Sequence, residues 1–133
     1  MASDILIQRL LESPGRWAVG GLSPRRDRAS HDVAAFLQDL GFDIVPVNPT
    51  VDEVLGERSY PDLTSIPGRI DVVDVFRRTP GPHVDEAIRV GARAVWLQLG
   101  VIDEPAASRA RAAGLQVVVD RCPKIEYRRL IST

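Results

Sequence analysis

The sequence predicts an α/β fold: a single domain with an open, mainly parallel five-stranded sheet flanked by helices. Three observations predict it. A unit of helical periodicity, then glycine, then a short apolar run occurs three times along the chain. Two more apolar runs, rich in β-branched residues, precede the first and second of these units. Such near-continuous runs suit strands covered on both faces, and strands alternating with helices suit right-handed parallel crossovers. The 133 residues are read as one domain, 1–133, since length predicts about one domain per ~150 residues. Within it, residues 1–15 are expected to be a helical extension and residues 122–133 a C-terminal tail.

Each element follows in order. Leu6, Ile7, Leu10 and Leu11 share the apolar side of an opening helix, which Ser13-Pro14-Gly15 ends. Residues 17–22 read as the first strand. Ser30 is the expected cap of the next helix, whose Val33, Phe36, Leu37 and Leu40 recur at i, i+3, i+4 and i+7. Gly41 suits the position just past its end, and residues 42–47 form the second strand. Residues 48–67 are the longest irregular segment, with short helical turns expected around Leu55-Gly56-Glu57 and Tyr60-Pro61-Asp62-Leu63. Residues 70–76 are the third strand. Val84, Ala87 and Ile88 mark a helix ending at Gly91, and residues 94–97 the fourth strand. Asp103 caps a last alanine-rich helix with Pro105 in its first turn; Gly114 ends it and residues 115–119 are the fifth strand.

Composition removes several classes. Hydrophobic residues at 44% and charged residues at 26% exclude a disordered, collagen-like or coiled-coil chain. Lys+Arg 17 against Asp+Glu 18 leaves no basic excess for nucleic acid. One cysteine excludes an intrachain disulfide framework, and two distant histidines argue against a metal site. No apolar run approaches the ~18–20 residues of a membrane span. Met1-Ala2-Ser3-Asp4 lacks the basic start of a signal peptide. The expectation is a cytoplasmic protein with no nucleic-acid, membrane or metal partner.

Ligands of open parallel sheets bind beyond the carboxyl ends of the strands. The loop after the first strand carries Gly20, Gly21, Ser23, Arg25, Arg26, Arg28 and Ser30, and a helix follows it. Glycines admit close backbone approach, a helix N-terminus favours an anion, and guanidiniums suit phosphate. The plainer alternative is a solvated loop with Ser30 as a cap. The loop is neither G-x-G-x-x-G nor a P-loop. Asn48 ends the second strand where a nicotinamide dinucleotide fold has an acidic residue, which weakens NAD as the ligand. Asp74 reads first as a backbone or helix cap, Phe76 as core or cleft wall, and His83 as a helix-start or surface residue. No nucleophile–base pair is evident, so no enzyme is expected. Cys122, between Arg121 and Lys124, is the single candidate nucleophile and reads first as a small buried hydrophobe.

Five segments in register carry a resemblance. They are residues 17–23, 45–49, 71–78, 94–100 and 120–126. In this order they resemble the stand-alone CoA-binding domain proteins of bacteria and archaea, similar to the N-terminal CoA-binding domain of the succinyl-CoA synthetase alpha subunit. The resemblance implies a Rossmann-like sheet ordered 3-2-1-4-5, with CoA or a short acyl-CoA held non-covalently at the strand ends. It places Gly21, Ser23, Arg25, Arg26 and Arg28 on the CoA phosphates, and Asn48 and Pro49 near the adenosine. Val75, Phe76 and Arg77 would line the path of the nucleotide or pantetheine, with Gln98 and Gly100 further along the cleft. Two residues depart from the pattern: Gly20 stands where a second valine is usual, and His31 where an aromatic such as tyrosine is expected. The synthetase's phosphorylated histidine lies in a second domain, so ligase activity is not carried over. Two alternatives stand beside CoA binding: a nucleotide-sensing interaction module with a protein partner or a second copy, and a Cys122-dependent acyl or thiol-exchange enzyme.

Overall fold

The computed structural model describes residues 2–131. Met1, on which the reading of the N-terminus draws, and residues 132–133 of the expected tail lie outside the described residues. In chain order the elements are α1 (Asp4–Glu12), β1 (Arg16–Gly20), α2 (Ala29–Asp39), β2 (Asp43–Val47), β3 (Glu53–Val54) and β4 (Glu57–Arg58). After a 3-10 turn at Leu63–Ser65 come β5 (Val72–Val75), α3 (Gly81–Val90), β6 (Ala94–Gln98), α4 (Glu104–Ala112), β7 (Gln116–Arg121) and α5 (Pro123–Leu130).

Five strands pair in parallel in the order β2-β1-β5-β6-β7. The expected fold class is what the chain adopts, an open parallel sheet with flanking helices. The implied order 3-2-1-4-5 is corrected: counting only these strands, it is 2-1-3-4-5. Pro46 gives the reason. Its carbonyl points away from β1 and accepts from Tyr60 N–H at 3.0 Å, so its missing N–H falls on that same outer edge. A strand laid there would lose a ladder bond, and proline in a strand marks an edge. A short bridge of Val47 to Tyr60 covers the edge instead, and the chain crosses to the other side of β1 to lay down β5.

Both faces of the sheet are covered, as the apolar runs require. Ala18, Val73, Val75, Val95 and Leu97 face α3, α4 and the 3-10 turn, where Val84, Ala87, Ala106 and Ala110 pack closely. Trp17, Val19, Ile44 and Trp96 face α1, α2 and α5. Trp17 sits edge-on to Phe42 at 5.5 Å and 5.6 Å from Trp96, joining β1 by ring contacts to the start of β2 and, across β5, to β6.

Two local readings change. The segment expected to be a tail is helix α5 from Pro123 to Leu130. Its Pro123, Glu126, Tyr127 and Leu130 recur at helical spacing, with Tyr127 edge-on to Phe36 of α2. The expected helical turn at residues 55–57 is the tip of a two-stranded hairpin, with Leu55 at φ 56° and Gly56 at φ 76°. Two consecutive left-handed residues make a tight hairpin turn whose twist matches its strands.

Candidate functional site

In this topology β1 and β5 are neighbours whose following helices leave to opposite faces: α2 covers one side and α3 the other. The chain therefore parts above their carboxyl ends. A crevice at such a reversal is where open α/β sheets take ligands. Here it is a cleft of about 420 Å³. Gly21, Ser23, Arg25, Arg28, Ala29 and Ser30 line it from the loop and α2, Asn48 and Thr50 from the end of β2, and Phe76 and Arg77 from the end of β5.

The loop is built by its own polar groups. Gly21 N–H donates to Val47 O at 3.0 Å, and its φ of 81° is open to glycine. A Cβ there would also lie 3.1 Å from Arg77 Nε, so the absent side chain lets the arginine lie on the backbone. Ser23 N–H donates to Ser30 Oγ at 3.0 Å, and Arg25 N–H to Ser23 Oγ at 3.1 Å. Ser30 is therefore not the cap expected of it. It lies within the first turn of α2 and clasps the loop, while Arg28 holds the cap position without a side-chain bond to the helix. The first N–H groups of α2 stay free of an intrahelical acceptor and face the cleft's end.

Asn48 fixes the loop to the sheet. It is 7% exposed and uses both ends of its amide. Nδ2 donates to Leu22 O at 3.0 Å, and Oδ1 accepts from Thr50 N–H at 2.9 Å and Thr50 Oγ1 at 2.7 Å. Its carbonyl accepts from Ser59 Oγ at 2.9 Å. A carboxylate has no donor for Leu22, which explains an amide where dinucleotide folds carry an acid.

The charge in the cleft is positive. Arg25 pairs with Asp27 at 3.0 Å. Arg28 and Arg77 have no acidic partner among the described residues, and both are exposed.

The structure brings together eight of the sequence-derived candidates: Gly21, Ser23, Arg25, Arg28, Ser30, Asn48, Phe76 and Arg77. The others lie elsewhere. Gly20 is buried at the end of β1. Arg26 turns to a separate hollow beside Pro24, His31 and the β3–β4 hairpin. Pro49 is exposed outside the cleft wall, and Val75 is wholly buried in the core on the α3 face. Gln98 is buried with Oε1 unpaired among the described residues, and Gly100 is exposed with its N–H on Asp120 Oδ1 at 2.7 Å. Cys122, half-buried before α5, borders a different hollow with Leu99, Ile125 and Glu126. A larger hollow of about 550 Å³ lies at the amino edge of the sheet, around Arg9, Arg69 and Arg93, away from this loop.

Four residues carry more than their sequence suggested. Thr50 and Ala29 line the cleft. His83 is no surface residue: its side chain is 18% exposed and lies against Gly20. Burial, and then the nearby Arg77 charge, hold its imidazole below the usual histidine range. The signal for it was Gly20 itself, a missing side chain in the middle of an apolar run. Asp74 is no cap. It is fully buried, neither carboxyl oxygen has a hydrogen-bond partner among the described residues, and burial raises it well above the usual carboxylate range. Among the described residues no group of three or more His, Cys, Asp or Glu is placed to hold a metal ion, and no helix is long and apolar enough to cross a membrane.

Comparison with known proteins finds relatives over most of the chain. The family described as "CoA binding domain" matches residues 15–128. The Bacillus subtilis (strain 168) protein YneT is 41% identical over 124 residues, covering 91% of each chain. A Pyrococcus horikoshii structure superposes with a TM-score of 0.93 at 36% identity, over 98% of this chain and 93% of its own. A Thermus thermophilus structure does so at 0.91 and 30%, over 98% of this chain and 100% of its own.

Proposed function

The chain belongs to the CoA binding domain family, and we propose that it holds coenzyme A or a short acyl-CoA non-covalently in the cleft between β1 and β5. The phosphates rest on the loop of residues 21–30 and the N-terminus of α2. Arg28 and Arg77 neutralise them, with Arg25 released from Asp27 to assist. The nucleotide lies toward Asn48 and Thr50, and the apolar edge of Phe76 carries the less polar part of the ligand. The protein positions and shields the cofactor; the proposal contains no chemical step.

One observation carries this reading. An uncapped helix N-terminus and two guanidiniums with no acidic partner among the described residues, from separate elements, converge on the point where the strand order reverses. Backbone N–H groups and the helix dipole favour an anion there, and guanidinium geometry favours phosphate. The test is the thermal midpoint of ligand-stripped protein with CoA, acetyl-CoA, NAD and ADP at matched salt. A ligand at ~100 times its dissociation constant stabilises the folded state by about 2.7 kcal/mol. CoA and acetyl-CoA are expected to raise the midpoint and NAD to leave it. No shift with millimolar CoA overturns the reading.

A further inference from the structure

Gly20 ends β1 with no side chain of its own at the close of a buried strand. The structure shows what takes the space. A Cβ added at Gly20 would lie 3.3 Å from Cγ, Cδ2 and Cε1 of His83 alike, so the imidazole lies flat against the glycine. His83 belongs to the first turn of α3, on the face of the sheet opposite α2. It thus reaches over the end of β1 next to Gly21 and Arg77, two residues of the cleft wall. Its Nδ1 is buried without a hydrogen-bond partner among the described residues and lies 3.8 Å from Glu86 Oε1, too far to bond.

We propose that His83 is a further ligand-facing residue of this cleft, and that it takes up a proton from solvent as an anion settles beside Arg77. This rests on the cleft being the CoA site. Arg77 stands close enough to oppose a charge on the ring, and burial opposes it further. A phosphate beside Arg77 offsets that positive charge and supplies an acceptor. Glu86, itself raised by burial, then has an imidazolium to pair with. The other charged groups around α3 are Arg89 and Asp62, which act on Glu86, Asp103 and Arg109 at α4, which lie near Gly81, and Asp85 of α3 itself, which pairs with Arg109 at 3.0 Å. Because coupling is reciprocal, ligand raises the ring's proton affinity and protons tighten the ligand. The absent side chain at Gly20 is what admits the ring, so the coupling is a property of this pair of residues.

The experiment measures CoA binding calorimetrically at pH 6 in two buffers of different ionisation enthalpy, for wild type, His83→Gln and Gly20→Val. The CoA 3′-phosphate titrates in the same window, so the readout is the proton uptake of wild type minus that of each altered protein. About half a proton is expected at pH 6 for a histidine whose titration moves across it. Between pH 8 and pH 6, wild-type affinity should tighten about 3- to 10-fold more than that of His83→Gln or Gly20→Val, tenfold being one unit of coupling. Imidazole NMR with and without CoA reads the ring directly: the wild-type signal that is absent from His83→Gln should titrate higher with CoA. Intact CoA binding with an unmoved His83 titration and equal proton counts overturns the proposal alone. Absence of CoA binding overturns the cleft assignment and the proposal with it.

Discussion

Asn48→Asp changes one atom of the loop's anchor and reverses a hydrogen bond. Nδ2 now donates to Leu22 O at 3.0 Å; in the variant an acceptor oxygen faces that carbonyl. The Thr50 contacts to Oδ1 are kept. Leaving the Leu22 carbonyl unpaired costs about 1–3 kcal/mol. The new carboxyl can avoid this by staying protonated, since its O–H restores the donor. Holding a group of ordinary pKa near 3.9 protonated at pH 7 costs about 4 kcal/mol at 1.36 kcal/mol per unit, which sets the ceiling. The deficit is therefore about 2–3 kcal/mol at pH 7. At roughly 2.1 cal/mol/K of unfolding entropy per residue, this lowers the midpoint by on the order of 10 °C. The folded-state pKa of the new acid is raised above its unfolded value, so its cost appears as pH rises through the unfolded value and shrinks as pH falls toward 4. Thermal melts of both proteins from pH 4 to 8 test this. CoA affinity at pH 7 should also fall, because the loop that receives the phosphates loses its hold through Leu22. A deficit of equal size at pH 4 and pH 7 refutes the argument that the Leu22 contact is what Asn48 supplies.

Three further outcomes follow. Arg28→Ala with Arg77→Ala should weaken CoA about 10- to 100-fold, as charge-assisted bonds contribute about 1.5–3 kcal/mol each before solvent exposure reduces them; Arg26→Ala should change it less than threefold, and equal losses would undo the division of the arginines. Gly21→Ala should lower stability by about 1–2 kcal/mol, because φ of 81° disfavours a Cβ and Arg77 must move; an unchanged melt would contradict it. Asp74→Asn tests the buried acid: the folded state keeps a proton that the unfolded chain gives up above its ordinary pKa, so wild-type stability falls as pH rises from about 4. The variant, which has no proton to lose there, should gain on wild type steadily over that range, and parallel stability–pH curves would show that Asp74 does not titrate differently in the two states.

What was legible depended on whether the signal was local. Glycine after a helical period, then a β-branched run, states a helix, its stop and a strand within one short stretch of chain, and all five strands appear where such runs lie. The loop of residues 21–30 was legible for the same reason: glycines, hydroxyls and guanidiniums sit in sequence between a strand and a helix. Strand order is a different kind of fact, because it depends on which edge of β2 can accept a partner. Pro46 held that information in one missing N–H, but its direction becomes visible only once β1 is paired on the other side.

Side-chain roles set across the sheet were the least legible. Ser30 looks the same as a cap or as a clasp until Ser23 N–H is seen to reach it. Arg25, Arg26 and Arg28 are equivalent on paper, and the loop's turn sends Arg26 to the hairpin and leaves Arg28 in the cleft. Asp74 lies one residue from the end of a strand, where caps are common. Alternation turns it instead into the layer of Val19 and Trp96, with which it is in register. Gly20 and His83 make the same point from the other direction. They are far apart in the chain, and neither is notable alone. A glycine where an apolar strand calls for a side chain implies that something else fills the gap. The crossover that brings β5 and α3 beside β1 decides that the filler is an imidazole, and so makes a titratable group part of the wall.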